Sequence, residues 1–254
     1  MPARVASKKT ASPPAELPAQ RRRRARRIIA HLQERYPQVR LPLVHRDPFQ
    51  LLVATILSAQ CTDAMVNRVT PELFRRYPTP QALAAARIRD VEKIVKPTGF
   101  FRQKTRAITS MSRSLGERFS GRVPLTMDEL LTLEGVGRKT ANVILSAKRL
   151  EPWGGRQDPA DGLGIVVDTH VRRVSQRLGL ASTDDPEKIE QQLMELVPRK
   201  EWDAFSLRLI YFGREICTAK RPMCLSCPLN RLCPSAPFGG NPPWMRRRAL
   251  ARRP

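Results

Sequence analysis

The amino-acid sequence predicts an all-α fold. Apolar residues recur at helical spacing along most of the chain, and no stretch of useful length alternates apolar and polar residues as a half-buried strand does. The chain has 254 residues, of which 41% are hydrophobic, so it is long enough to bury one sizeable core or two smaller ones. We find no internal repeat.

The predicted elements follow from this periodicity in chain order. Residues 1–20 are expected to form a disordered basic arm, because Pro, Ala and Lys dominate there. The segment at 49–60 is apolar nearly all round and predicts a buried helix. A surface loop rich in Gly, Pro and Asp is predicted at 151–164, and a basic mobile tail at 236–254. The other predicted helices lie at 21–36, 63–77, 80–86, 88–95, 102–119, 127–133, 138–149, 169–178, 186–197 and 202–216.

The protein carries a large excess of positive charge, with 46 basic and 23 acidic residues, a net charge of +23 and a pI near 11.2. Residues 1–28 hold nine Lys or Arg and one Glu, and residues 236–254 hold five Arg and no acidic residue. The ends therefore carry 13 of the 23 net positive charges, and 10 remain on residues 29–235. A body that is basic without its tails favours a nucleic acid over a membrane as the partner.

The sequence also predicts a location. It contains no run of 18 apolar residues and no apolar centre of a secretory signal, so we expect a cytoplasmic, nucleoid-associated protein that does not bind membranes. An organellar transit peptide is the alternative, because residues 1–28 are rich in Arg and poor in acidic residues. Pro13, Pro14 and Pro18 argue against it, since they interrupt any amphipathic helix there.

A glycine turn in the stretch LEGVGRKTAN, at 133–142, separates two predicted helices. Gly135 and Gly137 are expected to adopt positive φ and to let a partner approach the backbone closely. The helix that follows, which includes Lys139, offers unpaired N–H groups and the positive end of its dipole, an arrangement suited to a phosphate. On this stretch alone, a plain helix hairpin with glycines for packing is an equal alternative.

Four cysteines near the end of the folded region have metal-ligand character. Cys217, Cys224, Cys227 and Cys233 form the pattern C-x6-C-x2-C-x5-C. A [4Fe–4S] cluster suits this uneven spacing better than zinc, which usually takes two short-spaced pairs, although zinc stays open. The metal could serve redox chemistry or hold a basic loop against a phosphate backbone. The fifth cysteine, Cys61, is predicted to be a small buried residue.

The ordered set of motifs resembles the endonuclease III family of DNA repair glycosylases, within the helix-hairpin-helix superfamily. The motifs are LLVATILSAQCTD at 51–63, LEGVGRKTAN, VDTHVRRV at 167–174 and the four-cysteine spacing, and the resemblance covers about residues 22–235. It implies a cleft between two domains. One is a six-helix barrel at 41–158, which carries the helix-hairpin-helix at 127–149. The other is a discontinuous domain of residues 21–40 and 159–235, in which the four cysteines hold a [4Fe–4S] cluster.

The resemblance implies two catalytic residues. Lys139 matches the family's nucleophilic lysine and Asp168 its essential aspartate. A carboxylate stabilises the positive character that the sugar acquires when a base departs. A lysine amine adds to the same carbon and forms a Schiff base, which permits β-elimination of the 3′ phosphate. For Lys139 the alternative is a phosphate contact, and Asp168 is independently predicted to cap the helix at 169–178.

Further residues are implied to bind DNA. Gln60, Phe100 and His170 match the side chains that fill the gap left by an extruded base. The alternatives are a buried amide for Gln60, core packing for Phe100 and a solvated helix position for His170. The family often has leucine in place of Phe100. The hairpin residues implied to grip the DNA backbone are Gly135, Val136, Gly137, Arg138 and Thr140.

The implied function is that of a monomeric DNA glycosylase and AP lyase. It removes oxidised or ring-saturated pyrimidines from duplex DNA that contains damaged bases or abasic sites. Two alternatives remain: a relative that removes adenine or mismatched thymine, and a non-catalytic iron–sulfur module for DNA binding or redox sensing. The chain departs from the family pattern at Cys61, where alanine is common, in the long 151–164 segment and in its basic tails.

Overall fold

The computed structural model describes residues 16–150 and 164–236, and these two ranges contain helices, turns and no strand. The all-α prediction is therefore confirmed. Most of the predicted arm, the loop at 151–164 and the tail lie outside the described residues. Within the described ranges, no helix is both long and apolar enough to cross a membrane.

Eleven α-helices are described, and their bounds follow the apolar periodicity closely. They are α1 (Pro18–Arg35), α2 (Pro48–Leu57), α3 (Asp63–Arg76), α4 (Pro80–Ala84), α5 (Ile88–Val95), α6 (Phe101–Arg118), α7 (Met127–Leu131), α8 (Arg138–Leu150), α9 (Thr169–Arg177), α10 (Pro186–Met194) and α11 (Trp202–Glu215). Short 3₁₀ turns occur at Lys96–Thr98, Arg199–Glu201 and Asn230–Leu232.

The helix ends differ from the predicted ends at two places that matter. Helix α1 begins at Pro18, three residues before the predicted start, because proline at the first helical position has a fixed helical φ and needs no hydrogen-bond partner. Helix α2 ends at Leu57, so that Gln60 lies in a turn and not at a helix terminus. Asp47 begins α2 by accepting the Gln50 amide at 2.8 Å.

The first hydrophobic core is built around α2. Buried residues between Leu43 and Ala147 form one cluster, in which α2 packs against α3, α6 and α8. Leu51, Leu52 and Leu57 are fully buried, which confirms the prediction of a buried helix. Cys61 is only half-buried and packs against the edge of this core, so its predicted burial is partly wrong.

The second core joins the two ends of the described chain. Its buried residues lie between Ala25 and Tyr36 and between Ile165 and Leu232, and α11 packs against both α1 and α9. Leu41, in the connection between α1 and α2, packs against both cores. We propose that the two cores define two domains, the second of them discontinuous. The boundary near 158 lies outside the described residues.

The two glycines of the α7–α8 turn, Gly135 and Gly137, occupy different structural environments. Gly135 has φ of 77°, and a Cβ there would lie 2.9 Å from the Cβ of Ala107. The prediction of positive φ is wrong for Gly137, which is not among the described glycines whose φ is positive. No atom lies within 4 Å of the position that a Cβ would take at Gly137. Gly135 is thus required by the fold, whereas Gly137 leaves open space on the surface.

This difference predicts unequal effects of the same substitution at the two glycines. Gly135→Ala is expected to lower the free energy of unfolding by about 1–3 kcal/mol, because alanine is strained at positive φ and clashes with Ala107. Gly137→Ala is expected to change it by about 0.5 kcal/mol. Urea denaturation followed by circular dichroism measures both, and equal losses would contradict this assignment.

Candidate active site

A cleft of about 220 Å³ lies between the two cores. Helix ends from both sides line it, including the turn after α2, the start of α8 and the start of α9. Four of the residues singled out from the sequence meet here: Gln60, Lys139, Thr140 and Asp168. The cleft therefore brings together these four residues, although Gln60 and Asp168 are 108 positions apart in the chain.

Lys139 is the second residue of α8 and its side chain is exposed. The first turn of a helix has N–H groups without intrahelical partners and a positive partial charge. Lys139 thus adds an amine to a region that already favours an anion. Its neighbour Thr140 lines the same cleft.

Asp168 combines two roles in one carboxylate. Its Oδ1 accepts hydrogen bonds from the backbone amides of His170 and Val171, each at 2.8 Å, so it caps α9 as predicted. Both cap bonds use the same oxygen. Because the carboxylate is fixed by this cap and also lines the cleft, its charge is held in place for a partner on the cleft side.

An ion pair across the cleft was missed by the sequence analysis. Arg214 of α11 lies 2.5 Å from Asp63 at the start of α3, and both residues line the cleft. Asp63 ends the motif at 51–63 and is predicted from the sequence only to begin a helix, and Arg214 lies in no motif. Their separation of 151 positions leaves no local signal of the contact.

The two residues predicted to enter DNA from the first core are both exposed. Gln60 has φ of 52° and Phe100 has φ of 46°, so each lies in a left-handed turn. The Phe100 side chain is 60% exposed, while Phe101 packs against the first core. The alternatives of a buried amide for Gln60 and core packing for Phe100 are therefore wrong.

His170 is half-buried beside the cap of α9. Its Nδ1 lies 3.2 Å from a guanidinium nitrogen of Arg173. Burial lowers the pKa of His170. The positive charges of Arg173 and Arg214 lower this pKa further, whereas the negative charges of Asp168 and Asp63 raise it. Neither His170 nor Phe100 is among the described residues that line the cleft.

The hairpin residues differ in what they offer to a partner. The Val136 side chain is buried in the first core, and its N–H donates to Leu133 O at 3.2 Å within the turn. Arg138 is half-exposed and its Nε lies 3.4 Å from a carboxylate oxygen of Glu190, a residue of α10. Gly137, which borders open space, directly precedes Arg138 in the chain.

The four cysteines surround one small cavity of about 30 Å³ at the end of the second core. Burial raises the pKa of Cys227 to about 11 and raises the pKa values of Cys224 and Cys233. Within the described ranges, no group of three or more His, Cys, Asp or Glu is arranged to hold a metal ion. The cavity is thus surrounded by thiols that do not converge on one point.

Comparison with known proteins places this arrangement in a family. The model of the HhH-GPD superfamily of base excision DNA repair proteins matches residues 53–199. Endonuclease III of Synechocystis sp. is 48% identical over 220 residues, which are 86% of this chain and 95% of that protein.

Two solved structures are similar over most of their length. One is a trapped covalent intermediate of endonuclease III with DNA, with a TM-score of 0.75 and 42% identity over 84% of this chain and 95% of that one. The other is a non-covalent endonuclease III–DNA complex, with a TM-score of 0.76 and 41% identity over 89% and 98%. The chain therefore belongs to the endonuclease III family within the HhH-GPD superfamily of base excision DNA repair proteins.

Proposed function

We propose that this protein removes oxidised or ring-saturated pyrimidines from duplex DNA and then cleaves the strand at the resulting site. The observation that carries the proposal is the meeting of Lys139 and Asp168 in one cleft between two cores. A nucleophilic amine and a fixed carboxylate are the two groups that this chemistry needs.

The residues of the cleft support a reaction in two stages. The Lys139 amine forms a bond to C1′ of the sugar while the bond from C1′ to the base breaks, and the departing base takes up a proton. Asp168 stabilises the positive character at the sugar during this exchange. The sugar ring then opens: the C1′–O4′ bond breaks, O4′ takes up a proton, and the bond from C1′ to the lysine nitrogen becomes the imine of a Schiff base. This imine acidifies C2′, and loss of a C2′ proton expels the 3′ phosphate from C3′.

The proposed substrate is a base that has left the helix, since C1′ of a stacked nucleotide cannot reach a cleft. We assign Gln60, Phe100 and His170 to the gap that the base leaves. Exposure of Gln60 and Phe100 on left-handed turns supports this assignment, because an exposed aromatic side chain at a turn can wedge between bases.

The hairpin is assigned to the DNA backbone. Gly135 gives the turn its shape, the open space at Gly137 admits a phosphate, and the first amides of α8 point in the same direction as its positive dipole end. Arg138 and Thr140 supply further donors. We also propose that the protein acts on duplex DNA as a monomer, close to the nucleoid in the cell, because Lys139 and Asp168 meet in one cleft without a contribution from a second copy.

We further propose that Cys217, Cys224, Cys227 and Cys233 hold a [4Fe–4S] cluster. Each iron of such a cluster takes one thiolate, and the four cysteines that line one cavity supply that number. When bound, the cluster holds the loop from 217 to 233 in a fixed shape. Three of its cysteines pack against the second core, so this shape is tied to the fold.

The alternatives are not favoured. Similarity to endonucleases III at 41–48% identity favours this function over that of an adenine or mismatched-thymine glycosylase. A module without catalysis gives no reason for a lysine and an aspartate to share a cleft of this size.

Replacement of the proposed nucleophile gives the most direct test. Lys139→Ala is expected to slow strand cleavage at an oxidised pyrimidine in duplex DNA by at least about 10³-fold, because no amine is left to form the Schiff base. Borohydride should trap the wild-type protein on the DNA and leave the variant untrapped. Lys188→Ala removes an exposed lysine elsewhere and serves as the charge-matched control. Trapping of Lys139→Ala at the wild-type rate excludes this role.

Substitutions of Asp168 are expected to separate its two roles. Asp168→Asn keeps an oxygen that caps α9, so thermal stability should stay near that of the wild type while base removal falls by about 10²–10³-fold. Asp168→Ala should lose activity to a similar extent and also about 1 kcal/mol of stability. Single-turnover kinetics and thermal unfolding measure the two effects. An active Asp168→Asn variant would show that the carboxylate charge is not needed.

The metal assignment predicts a coloured protein. Native mass spectrometry of anaerobically purified protein should show the added mass of four irons and four sulfides, with broad visible absorption. Cys224→Ser should lower the iron content and loosen the loop, because each iron needs its own thiolate. A colourless protein that contains one zinc ion would refute the cluster.

A further inference from the structure

Two of the residues assigned to the gap left by the extruded base, Gln60 and Phe100, lie on strained turns. Among the described residues other than glycine, only Gln60, Phe100 and Ser120 have positive φ. Residues with a side chain adopt this conformation only where the surrounding structure imposes it. Cys61 N donates to Ser58 O at 3.0 Å and closes the first turn, whereas the second follows Gly99, which has φ of 71°.

One buried lysine connects the chain segments that lead into both turns. The Lys104 side chain, on α6, is almost fully buried, with the residue only 5% exposed. Its Nζ donates to the carbonyl oxygen of Leu57 at 2.8 Å and to that of Thr98 at 2.7 Å. Leu57 precedes Gln60 by three residues and Thr98 precedes Phe100 by two. The same amine therefore fixes the start of each turn relative to the other.

The surroundings explain why an amine occupies this buried position. Leu57 is the last residue of α2, where carbonyl groups lack intrahelical partners and the helix dipole favours a cation. Thr98 is 2% exposed, so its carbonyl also lies away from bulk water. A methionine of similar volume would fill the space and leave both oxygens without this donor. Ammonium and neutral amine both carry the two N–H groups that the bonds require.

We propose that Lys104 is a positioning residue that sets the spacing between Gln60 and Phe100, so that both side chains enter the helix together when a base is extruded. This inference rests on the proposed function. It adds a residue that touches neither the DNA nor the reacting atoms and acts through two backbone carbonyls.

The test separates base extrusion from chemistry. Lys104→Met is expected to slow removal of an oxidised pyrimidine from duplex DNA by about 10²-fold, the scale of an ångström-sized misplacement. Lyase activity on an abasic site in single-stranded DNA should stay within about twofold of the wild type, because no base has to leave a duplex. The fluorescence rise of 2-aminopurine placed opposite the lesion should fall, as it should in a variant with both Gln60→Ala and Phe100→Ala.

Two further variants distinguish positioning from a general loss of stability. Leu115→Ala removes a fully buried side chain from the same helix, and it should lower the melting temperature without changing the fluorescence rise. Adding Lys104→Met to the Gln60→Ala, Phe100→Ala variant should cause little further loss, since the side chains to be positioned are gone. If Lys104→Met does not fold, Lys104→Gln retains one donor group and should give an intermediate loss.

The outcomes are distinct. Wild-type rates and fluorescence in a folded Lys104→Met or Lys104→Gln variant overturn the inference, and so does an equal loss on single-stranded and duplex DNA. A wild-type protein that neither removes the lesion nor raises the fluorescence overturns the proposed function itself, and the inference falls with it.

Discussion

Glu190 is the contact on which the geometry of the cleft depends. This carboxylate of α10 is 5% exposed, and it lies 3.3 Å from Asn142 and 3.4 Å from Arg138, both on α8. It thereby attaches the hairpin helix of the first core to the second core, which supplies Asp168. A Cβ at Gly164 would overlap a carboxylate oxygen of Glu190, so a side chain at this position would displace the carboxylate from its partners. Removing either partner would leave this buried carboxylate with fewer compensating donors.

The helices could be predicted from the sequence because their information is local. Apolar spacing locates α2, α6 and α9, and Asp168 is recognisable as a cap from its place before an amphipathic run. The contacts between the cores could not be predicted in this way. The pairing of Asp63 with Arg214 depends on how two separately formed cores meet, and no periodicity encodes that.

The sequence indicates which residues belong to the candidate site, but it does not indicate the structural role of each one. Both hairpin glycines were given one explanation, yet only Gly135 has positive φ, whereas Gly137 borders open space. The adjacent aromatics Phe100 and Phe101 look alike in sequence, and a single left-handed residue decides which one is exposed. Lys104 gave no signal at all, since a lysine within an amphipathic helix is normally solvated.

The Arg173 guanidinium connects the four-cysteine loop to His170, the residue that follows Asp168 by two positions. Arg173 donates to the carbonyl oxygens of Cys217 at 3.2 Å and Gly213 at 2.9 Å, and it also contacts His170. Gly213 permits this approach, because a Cβ there would lie 3.0 Å from the Arg173 guanidinium. The orientation of the imidazole and the shape of the loop therefore depend on the same side chain. Under the proposal that the four cysteines hold a cluster, a cluster that only fixes the loop in shape would bear on the orientation of His170, and no electron transfer would be needed for that influence.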